Sequence, residues 1–249
     1  MKISIITVAY NSEKTLCDTI NSVLSQTYTD IEYIIVDGLS HDRTVDIIKS
    51  YEHFFNGRLK WIAEKDGGLY DAMNKGIQMA TGEVVGIINS DDLLVDSDVI
   101  QKIMSAFYSH DIDCVYADLY YVSQNDTSKI IRHWISGKQK RFSRGWHPAH
   151  PTFYVKKNVY DNCGLFNLKY KLAADFELML RYIEKYKISM YYLPEPLVRM
   201  RLGGATSKNL QNIIKGNIEC YCAFKENLIP VSILYPFYRI FPKLKQFVQ

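Results

Sequence analysis

Repeated strand-and-helix units in the first hundred residues constrain the fold of this chain more than any other feature. Short runs of β-branched and other apolar residues stand at 3–9, 31–36, 59–63 and 84–88, and a helical pattern follows each of them. Units repeated in this way imply parallel strands joined by right-handed crossovers. A run as continuously apolar as 31–36 suits a strand that is covered on both faces. The sequence therefore predicts an α/β fold with a mostly parallel sheet and helices on both faces.

The second half of the chain is less regular. The patterns predict strands at 114–122, 130–134, 188–193 and 197–201, and helices at 175–186 and about 207–226. With 249 residues, of which 47% are hydrophobic, the chain suits one sizeable domain with a short appendage. Its net charge of +3 is too small to indicate nucleic acid as a partner.

Acidic residues stand where three of the predicted strands end. Asp37 ends the second strand, Asp66 follows the third, and Asp91 and Asp92 follow the fourth. Because ligands of such sheets bind outside the carboxyl ends of the strands, we expect these carboxylates to converge on one crevice. Without a cation they would repel one another there, and their oxygen atoms suit a hard divalent metal. The structural alternative is that Asp92 or Asp96 only caps the next helix.

Asp37 also opens a turn-and-cap segment that reads DGLSHDRT. We expect Ser40 and Asp42 to serve the structure of this loop. A carboxylate at a strand end suits sugar hydroxyls and base N–H groups, so Asp37 itself is predicted to bind a base or a ribose.

Four segments of the first half occur together in a characteristic order. They read IITVAYN at 5–11, VDGLSHDRT at 36–44, EKDGGLYDAMNKG at 64–76, and ATGE leading to NSDD at 80–92. In order and spacing, the chain resembles the family 2 glycosyltransferases, which have the GT-A fold. The third segment particularly resembles enzymes of bacterial exopolysaccharide and lipopolysaccharide O-antigen assembly. The resemblance is close over residues 2–100 and looser over 145–207.

The resemblance implies a GT-A (Rossmann-like) fold and transfer of a hexosyl or acetylhexosaminyl group from a nucleoside diphosphate sugar, with a UDP-sugar favoured. It places these residues at the donor nucleotide: Thr7, Ala9, Tyr10, Asp37, Asp66, Asn74 and Asp91. It also implies that Asp92 holds a divalent metal, Mn²⁺ or Mg²⁺, on the diphosphate. Val8 and Met73 depart from the family pattern, which often has Pro and Arg at these positions. Without that Arg, the identity of the nucleotide stays open.

An inverting transfer needs a carboxylate that deprotonates the acceptor hydroxyl as it attacks. Asp175 opens a predicted helix, and the family places its catalytic Asp at a similar helix start. Ala174 replaces the first of the two acidic residues that usually stand there. We predict Asp175 as the general base, with Glu177 as its rival and a helix cap as the structural alternative.

Aromatic and basic residues of the second half are candidates for the acceptor site. Trp146, His147 and His150 suit stacking and hydrogen bonding to sugars, although a purely structural loop is equally compatible with them. A zinc site is rejected because no third ligand has the right spacing. Arg199 and Arg201 are predicted to approach the acceptor or the diphosphate, and their structural alternative is surface charge on an edge strand.

The resemblance divides the chain into a nucleotide-sugar half (1–110), an acceptor half (111–228) and a tail (229–249). The tail is basic and aromatic without an acidic residue, so it suits either an anchor on an anionic membrane surface or packing on protein. No apolar run is long enough to span a bilayer, and no signal peptide is recognised. We therefore expect a cytoplasmic protein, peripheral on the inner face of the plasma membrane if the tail is an anchor.

The predicted partners are a nucleotide-diphosphate sugar and a glycan or lipid-linked glycan acceptor. The alternative function is a noncatalytic nucleotide-sugar-binding or scaffold protein of the same fold, which the altered residue pair 174–175 leaves open.

Overall fold

The computed structural model describes residues 1–203 and 210–236. Strands in these ranges are β1 (Ile3–Ala9), β2 (Ile31–Asp37), β3 (Leu59–Ala63), β4 (Val84–Ile87), β5 (Leu93–Leu94), β6 (Cys114–Val122), β7 (Ile130–Trp134), β8 (Tyr154–Lys156) and β9 (Met190–Arg201). The α-helices are α1 (Leu16–Leu24), α2 (Thr44–Tyr51), α3 (Leu69–Met79), α4 (Val99–Ser109), α5 (Lys157–Cys163), α6 (Ala174–Leu180) and α7 (Leu210–Glu226). The alternation predicted for the first half is confirmed.

One twisted sheet organises the molecule. Its strand order is β3-β2-β1-β4-β8-β6-β9-β5, and β7 pairs with β6. The first four strands run parallel, so their carboxyl ends lie along one edge of the sheet. β8 is antiparallel to both β4 and β6, while β6 and β9 run parallel to each other. The mostly parallel α/β sheet is therefore confirmed, and the acidic strand ends of the first half meet at one edge.

Apolar layers cover both faces of the sheet. Along β1, Ile3 and Ile5 enter one buried cluster, whereas Ile6 and Val8 enter the other. The first cluster includes side chains of α1 and α4, and the second includes side chains of α3, α6 and α7. Each fully buried side chain of this size contributes about 1.5–3 kcal/mol relative to exposure. Burial on both sides explains why these strands lack the alternating polar residues of a half-exposed sheet.

The second half differs from its predicted pattern in two places. The strands predicted at 188–193 and 197–201 are the single strand β9, whose pairing with β6 shifts register around Asp118. Pro194 and Pro196 lie in β9 at this point and lack the N–H that a regular ladder needs. β8 and α5 were not predicted, since a three-residue strand is too short to show a period.

Gly82 follows the end of α3. The helix ends at an extended Ala80, and the φ of Gly82 is not positive, so this glycine is not a left-handed cap. A Cβ at Gly82 would lie 2.6 Å from the backbone nitrogen of Ser4. The glycine is therefore explained by its close approach to β1.

Part of the predicted C-terminal region lies outside the described residues. This applies to Gly204, to positions 207–209 of the last predicted helix, and to most of the predicted tail, including Phe237, Tyr238, Arg239, Phe241, Lys243, Lys245 and Phe247. Within 1–203 and 210–236, no helix is both long and apolar enough to cross a bilayer.

Candidate active site

A crevice lies at the carboxyl ends of β1, β2 and β3. A Cβ at Gly38 would lie 2.6 Å from the carboxylate Oδ2 of Asp66 and 3.4 Å from Cδ2 of Tyr10. Tyr10 is exposed, and Asp66 accepts a hydrogen bond from the backbone N–H of Gly68 at 2.9 Å. The missing side chain at position 38 thus lets the Asp66 carboxylate and the Tyr10 ring approach this backbone closely. An exposed aromatic face beside a carboxylate suits a planar ligand with N–H groups.

Asp37 is fully buried beneath this crevice. It accepts the backbone N–H of Ser40 at 2.9 Å and the Ser40 hydroxyl at 2.5 Å. The loop role expected for Ser40 is therefore observed. Asp42 likewise accepts N–H groups of Glu13 and Thr44 at 3.1 and 3.0 Å. The carboxylate of Asp37 shapes the loop that carries Gly38, and its contact with a nucleotide stays a prediction.

Three other residues predicted at the nucleotide are buried. Ala9 lies in the core at the end of β1, and Thr7 accepts a hydrogen bond from the Tyr33 hydroxyl at 3.0 Å. The Asn74 amide donates to the carbonyl of Phe166 at 3.0 Å and accepts its N–H at 2.9 Å. Asn74 therefore ties α3 to the second half of the chain. The predicted roles of these residues at the base are untested.

The acidic turn after β4 contains a buried carboxylate with an unused oxygen. Asp92 is 1% exposed, and its Oδ2 accepts a hydrogen bond from the Asn89 amide at 3.1 Å. Asp92 Oδ1 and Asn89 Oδ1 have no hydrogen-bond partner among the described residues. Burial, reinforced by the charge of Asp91, raises the pKa of Asp92 well above its ordinary value. Since α4 begins only at Val99, Asp92 does not cap that helix.

Arg201, at the end of β9, lies against the same turn. Its guanidinium donates to the backbone carbonyl of Asp91 at 2.6 Å and forms an ion pair with Asp18 of α1. Arg201 is buried, and its Nε, like that of Arg199, has no hydrogen-bond partner among the described residues. The turn therefore combines open oxygen acceptors with open guanidinium donors, an arrangement suited to a metal-bound anion.

The geometry separates the two candidate bases. Asp175 is partly buried and accepts a hydrogen bond from the Tyr70 hydroxyl at 3.1 Å. Glu177 is buried and forms a bidentate ion pair with Arg181 at 2.9 and 3.1 Å. Asn227 donates to Glu177 as well, at 2.9 Å. Glu177 therefore has a structural role, because its carboxylate is bound by Arg181 and Asn227. The N-cap of α6 is Ala173, so Asp175 is not the cap that its position at a helix start suggested.

Tyr70, with its hydroxyl protonated, donates the hydrogen bond to Asp175. Burial raises the pKa of Tyr70 well above its ordinary value, and the charges of Asp175 and Glu219 contribute in the same direction. The phenol therefore keeps its proton at neutral pH. Its hydrogen bond to Asp175 orients that carboxylate.

Glu219 was not identified from the sequence. Its carboxylate accepts the backbone N–H groups of Lys171, Leu172 and Ala173 at 3.1, 2.8 and 2.9 Å. No side chain of the local segment caps α6, so this carboxylate from α7 occupies its positive end. No local pattern marks such a residue, because the contacts span more than 45 positions of the chain.

Tyr121 of β6 pairs in register with Met200 of β9, the residue before Arg201. Burial raises the pKa of Tyr121 and Arg132 opposes the rise, while the charges of both Asp92 and Asp175 add to it. The two carboxylates, which come from opposite halves of the chain, therefore act on one side chain. The Tyr121 ring stacks on Trp134 with centroids 6.1 Å apart, which gives this space an aromatic wall.

The predicted acceptor residues adjoin the same space with different roles. The Trp146 indole N–H donates to the carbonyl of Ser136 at 2.7 Å, so it supports its own loop. The His147 ring lies 5.2 Å from the Trp134 ring and 5.7 Å from the Phe176 ring. Burial lowers the pKa of His150 against the opposing charge of Asp175, and its Nε2 has no hydrogen-bond partner among the described residues.

The chain is similar to proteins that transfer sugars. The family model described as glycosyl transferase family 2 matches residues 4–168. A PGL/p-HBAD biosynthesis glycosyltransferase of Mycobacterium bovis is 28% identical over 186 residues, which are 72% of this chain and 68% of the relative. An uncharacterized glycosyltransferase of Nostoc sp. is 37% identical over 126 residues, which are 51% of this chain and 39% of the relative.

Solved structures share the fold. Mannosyltransferase PcManGT from Pyrobaculum calidifontis, in complex with GDP-Man and Mn²⁺, has a TM-score of 0.69 and 16% identity, covering 98% of this chain and 73% of that one. S. aureus TarS 1–349 in complex with UDP-GlcNAc has a TM-score of 0.68 and 20% identity, covering 91% of this chain and 65% of that one. This chain thus spans slightly less than two thirds of the TarS fragment. The likeness confirms the predicted GT-A-like fold.

Proposed function

We propose that this chain, which belongs to glycosyl transferase family 2, is an inverting enzyme that moves a sugar from a nucleoside diphosphate sugar to a hydroxyl of a glycan or lipid-linked acceptor. One observation carries the proposal. A row of aromatic rings runs from the acidic turn to Asp175. Tyr121 pairs in register with Met200, the neighbour of Arg201 on that turn, and stacks on Trp134. The His147 ring lies close to both Trp134 and Phe176, the residue after Asp175. A donor site and a base therefore adjoin one space.

The donor lies in the crevice at the strand ends. Tyr10 and Asp66, which both lie close to Gly38, would hold the base, and Asp91 would face the ribose. Structures of TarS with UDP-GlcNAc and of PcManGT with GDP-Man support a nucleotide sugar as donor. A hexosyl or acetylhexosaminyl group on UDP is our preferred donor.

A divalent cation fits the acidic turn. Asp92 Oδ1 and Asn89 Oδ1 are hard oxygen atoms without a hydrogen-bond partner among the described residues, and such atoms are the ligands that Mg²⁺ and Mn²⁺ prefer. Among residues 1–203 and 210–236, no cluster of three or more His, Cys, Asp or Glu side chains suits a metal, so Asp92 would hold the cation with few protein ligands. When bound, such a cation supplies charge stabilisation to the departing diphosphate. Arg201, fixed on Asp91, would contribute positive charge on the same side, so we assign it to the diphosphate rather than to the acceptor.

Asp175 would take the proton of the acceptor hydroxyl. As the oxygen attacks the anomeric carbon, the bond from that carbon to the diphosphate breaks on the opposite face, which inverts the configuration. Tyr70 would hold Asp175 in place. His150, neutral because burial lowers its pKa, would bind an acceptor hydroxyl, and His147 with Trp134 would pack against the sugar ring. Trp146 would support this pocket from behind.

The test is Asp175→Asn, assayed for nucleoside diphosphate release and for the anomeric configuration of the product. A general base contributes about 10²–10⁴-fold, so we expect kcat to fall by that factor while donor affinity stays within about twofold. Retained turnover in this variant would refute the assignment of the base. Donor binding by wild-type protein without turnover on any lipid-linked glycan would favour the noncatalytic alternative.

A further inference from the structure

We propose that the loop 138–144 and the segment 228–234 together form a surface that docks on an anionic lipid membrane. This pair of segments is called the docking surface below. The proposal extends the proposed function by naming where the enzyme works, although binding to lipid can be measured without sugar transfer.

The loop of the docking surface carries cations with no acidic residue near them in the sequence. Glu184, which lines one cleft together with Arg141, pairs with Lys187 at 3.8 Å. Between Asp126 and Asp161 the chain has eight Lys or Arg residues and no Asp or Glu. Half of these cations are exposed in one short loop: Lys138, Lys140, Arg141 and Arg144. Within the part of the chain that the structure describes, none of these four forms an ion pair. Their mutual repulsion is relieved by an anionic partner, and each Lys or Arg near an anionic leaflet strengthens binding about fivefold.

Large aliphatic side chains project beside this loop. Leu228 is 88% exposed and Ile233 is 79% exposed, and Leu234 is half exposed. Arg141 and Pro230 line one cleft of about 240 Å³, so the loop and the segment adjoin. Exposed apolar side chains grouped in this way indicate an interaction site. Combined with unpaired cations, they have the composition of a surface that inserts into the lipid headgroup region.

Both parts of the docking surface are fixed to Phe176, the residue after Asp175. Phe142 of the loop packs edge-on against this ring with centroids 5.4 Å apart, and Tyr235 lies 6.3 Å from it. The backbone N–H of Phe142 also donates to Glu184 at 3.0 Å, which holds the loop on α6 and its continuation. A bilayer on this surface would therefore lie on the part of the molecule that packs against α6, the helix that carries the candidate base.

A lipid surface fits these features better than a soluble polyanion does. A polyanion would be satisfied by the cations alone, and it gives no reason for exposing Leu228, Ile233 and Leu234. Aliphatic side chains gain free energy when they leave water for the headgroup boundary, provided that charges hold the protein there. Charge and apolar exposure should therefore both be required.

The test is co-sedimentation of the full chain with phosphatidylcholine vesicles that contain phosphatidylglycerol, with pure phosphatidylcholine vesicles as the neutral control. The charge variant is Lys138→Gln/Lys140→Gln/Arg144→Gln. Its matched control, Lys14→Gln/Lys49→Gln/Lys65→Gln, removes the same charge from exposed lysines of the other half. A third protein, Ile233→Ser/Leu234→Ser, removes the apolar part.

We expect the charge variant to bind about a hundredfold more weakly than wild type, as three fivefold losses imply, and the matched control to bind like wild type. The Ile233→Ser/Leu234→Ser protein should lose binding by about tenfold or more. Wild-type binding by the charge variant, or equal losses in the matched control, would overturn the proposal. Unchanged binding by the Ile233→Ser/Leu234→Ser protein would indicate plain polyanion attraction and would overturn it too. None of these outcomes affects the donor-site proposal.

Discussion

Glu32→Gln is predicted to destabilise the protein by about 3 kcal/mol at pH 7. Glu32 is 2% exposed and joins three strands and a turn near the amino ends of the sheet. It accepts hydrogen bonds from Ser4 at 2.6 Å, from Lys60 at 2.7 Å and from the backbone of Thr81 at 2.8 Å. Burial opposes ionisation, but these hydrogen bonds outweigh it and lower the pKa of Glu32 from 4.5 to about 2.

The sign of the pH dependence follows from that lowered pKa. The carboxylate contributes its full stability above pH 4.5, its ordinary pKa, and the contribution is lost as pH falls towards about 2. The free-energy difference between wild type and Glu32→Gln should therefore shrink by about 1.4 kcal/mol for each pH unit below about 4.

Urea unfolding followed by circular dichroism at pH 7, 4 and 3 measures this difference. Glu83→Gln is the matched control, because that carboxylate is 63% exposed and its loss should cost less than about 0.5 kcal/mol. A difference between wild type and Glu32→Gln that stays constant from pH 7 to pH 3 would refute the reasoning, since Glu32 would then act through packing and not through charge.

Two further substitutions test the division between structure and catalysis around α6. Glu177→Gln should lower the free energy of unfolding by about 3 kcal/mol, because it breaks the buried pair with Arg181. Asp175→Asn should change the free energy of unfolding by less than about 1 kcal/mol. Urea unfolding compares the two variants, and equal losses of stability would contradict a structural role for Glu177. Glu219→Gln should lower kcat about ten- to hundredfold with donor affinity unchanged, because the segment that carries Asp175 loses its anchor. Glu226→Gln, on the same helix but bonded to Lys169, is its control in steady-state kinetics, and an equal kcat in the two variants would rule out a positioning role for Glu219.

The donor half could be predicted from the sequence because local patterns and one topological rule suffice there. Buried parallel strands are recognisable in the sequence as continuous apolar runs. Because these strands run parallel, Asp37, Asp66 and Asp92 all lie at the same edge of the sheet. The topological rule predicts which residues lie near one another, but it does not predict the hydrogen bonds that they form. It did not reveal that Asp37 would bind Ser40 or that Asn74 would bind the backbone of Phe166.

Fewer of the side-chain roles in the acceptor half could be predicted, because its contacts join distant parts of the chain. The sequence favoured Asp175 as the base but left Glu177 as a rival, and the structure separates the two because Arg181 and Asn227 bind Glu177. Glu219 binds a segment more than 45 positions away, and no periodicity records such a contact. Arg201 was expected at a surface or a ligand, and its burial on the acidic turn depends on the pairing of β9 with β5, the strand that follows that turn.

The turn at Asp92 is proposed to be a metal-dependent nucleotide site. Calorimetric titration of UDP, GDP and dTDP, each with Mn²⁺ and with chelator, tests it on wild type, on Asp92→Asn and on the surface control Asp98→Asn. We predict that one nucleotide binds wild type and Asp98→Asn only with the metal, and that Asp92→Asn binds none while its circular dichroism spectrum is unchanged. Binding to none of the proteins, or equal binding with Asn at position 92, would contradict the account.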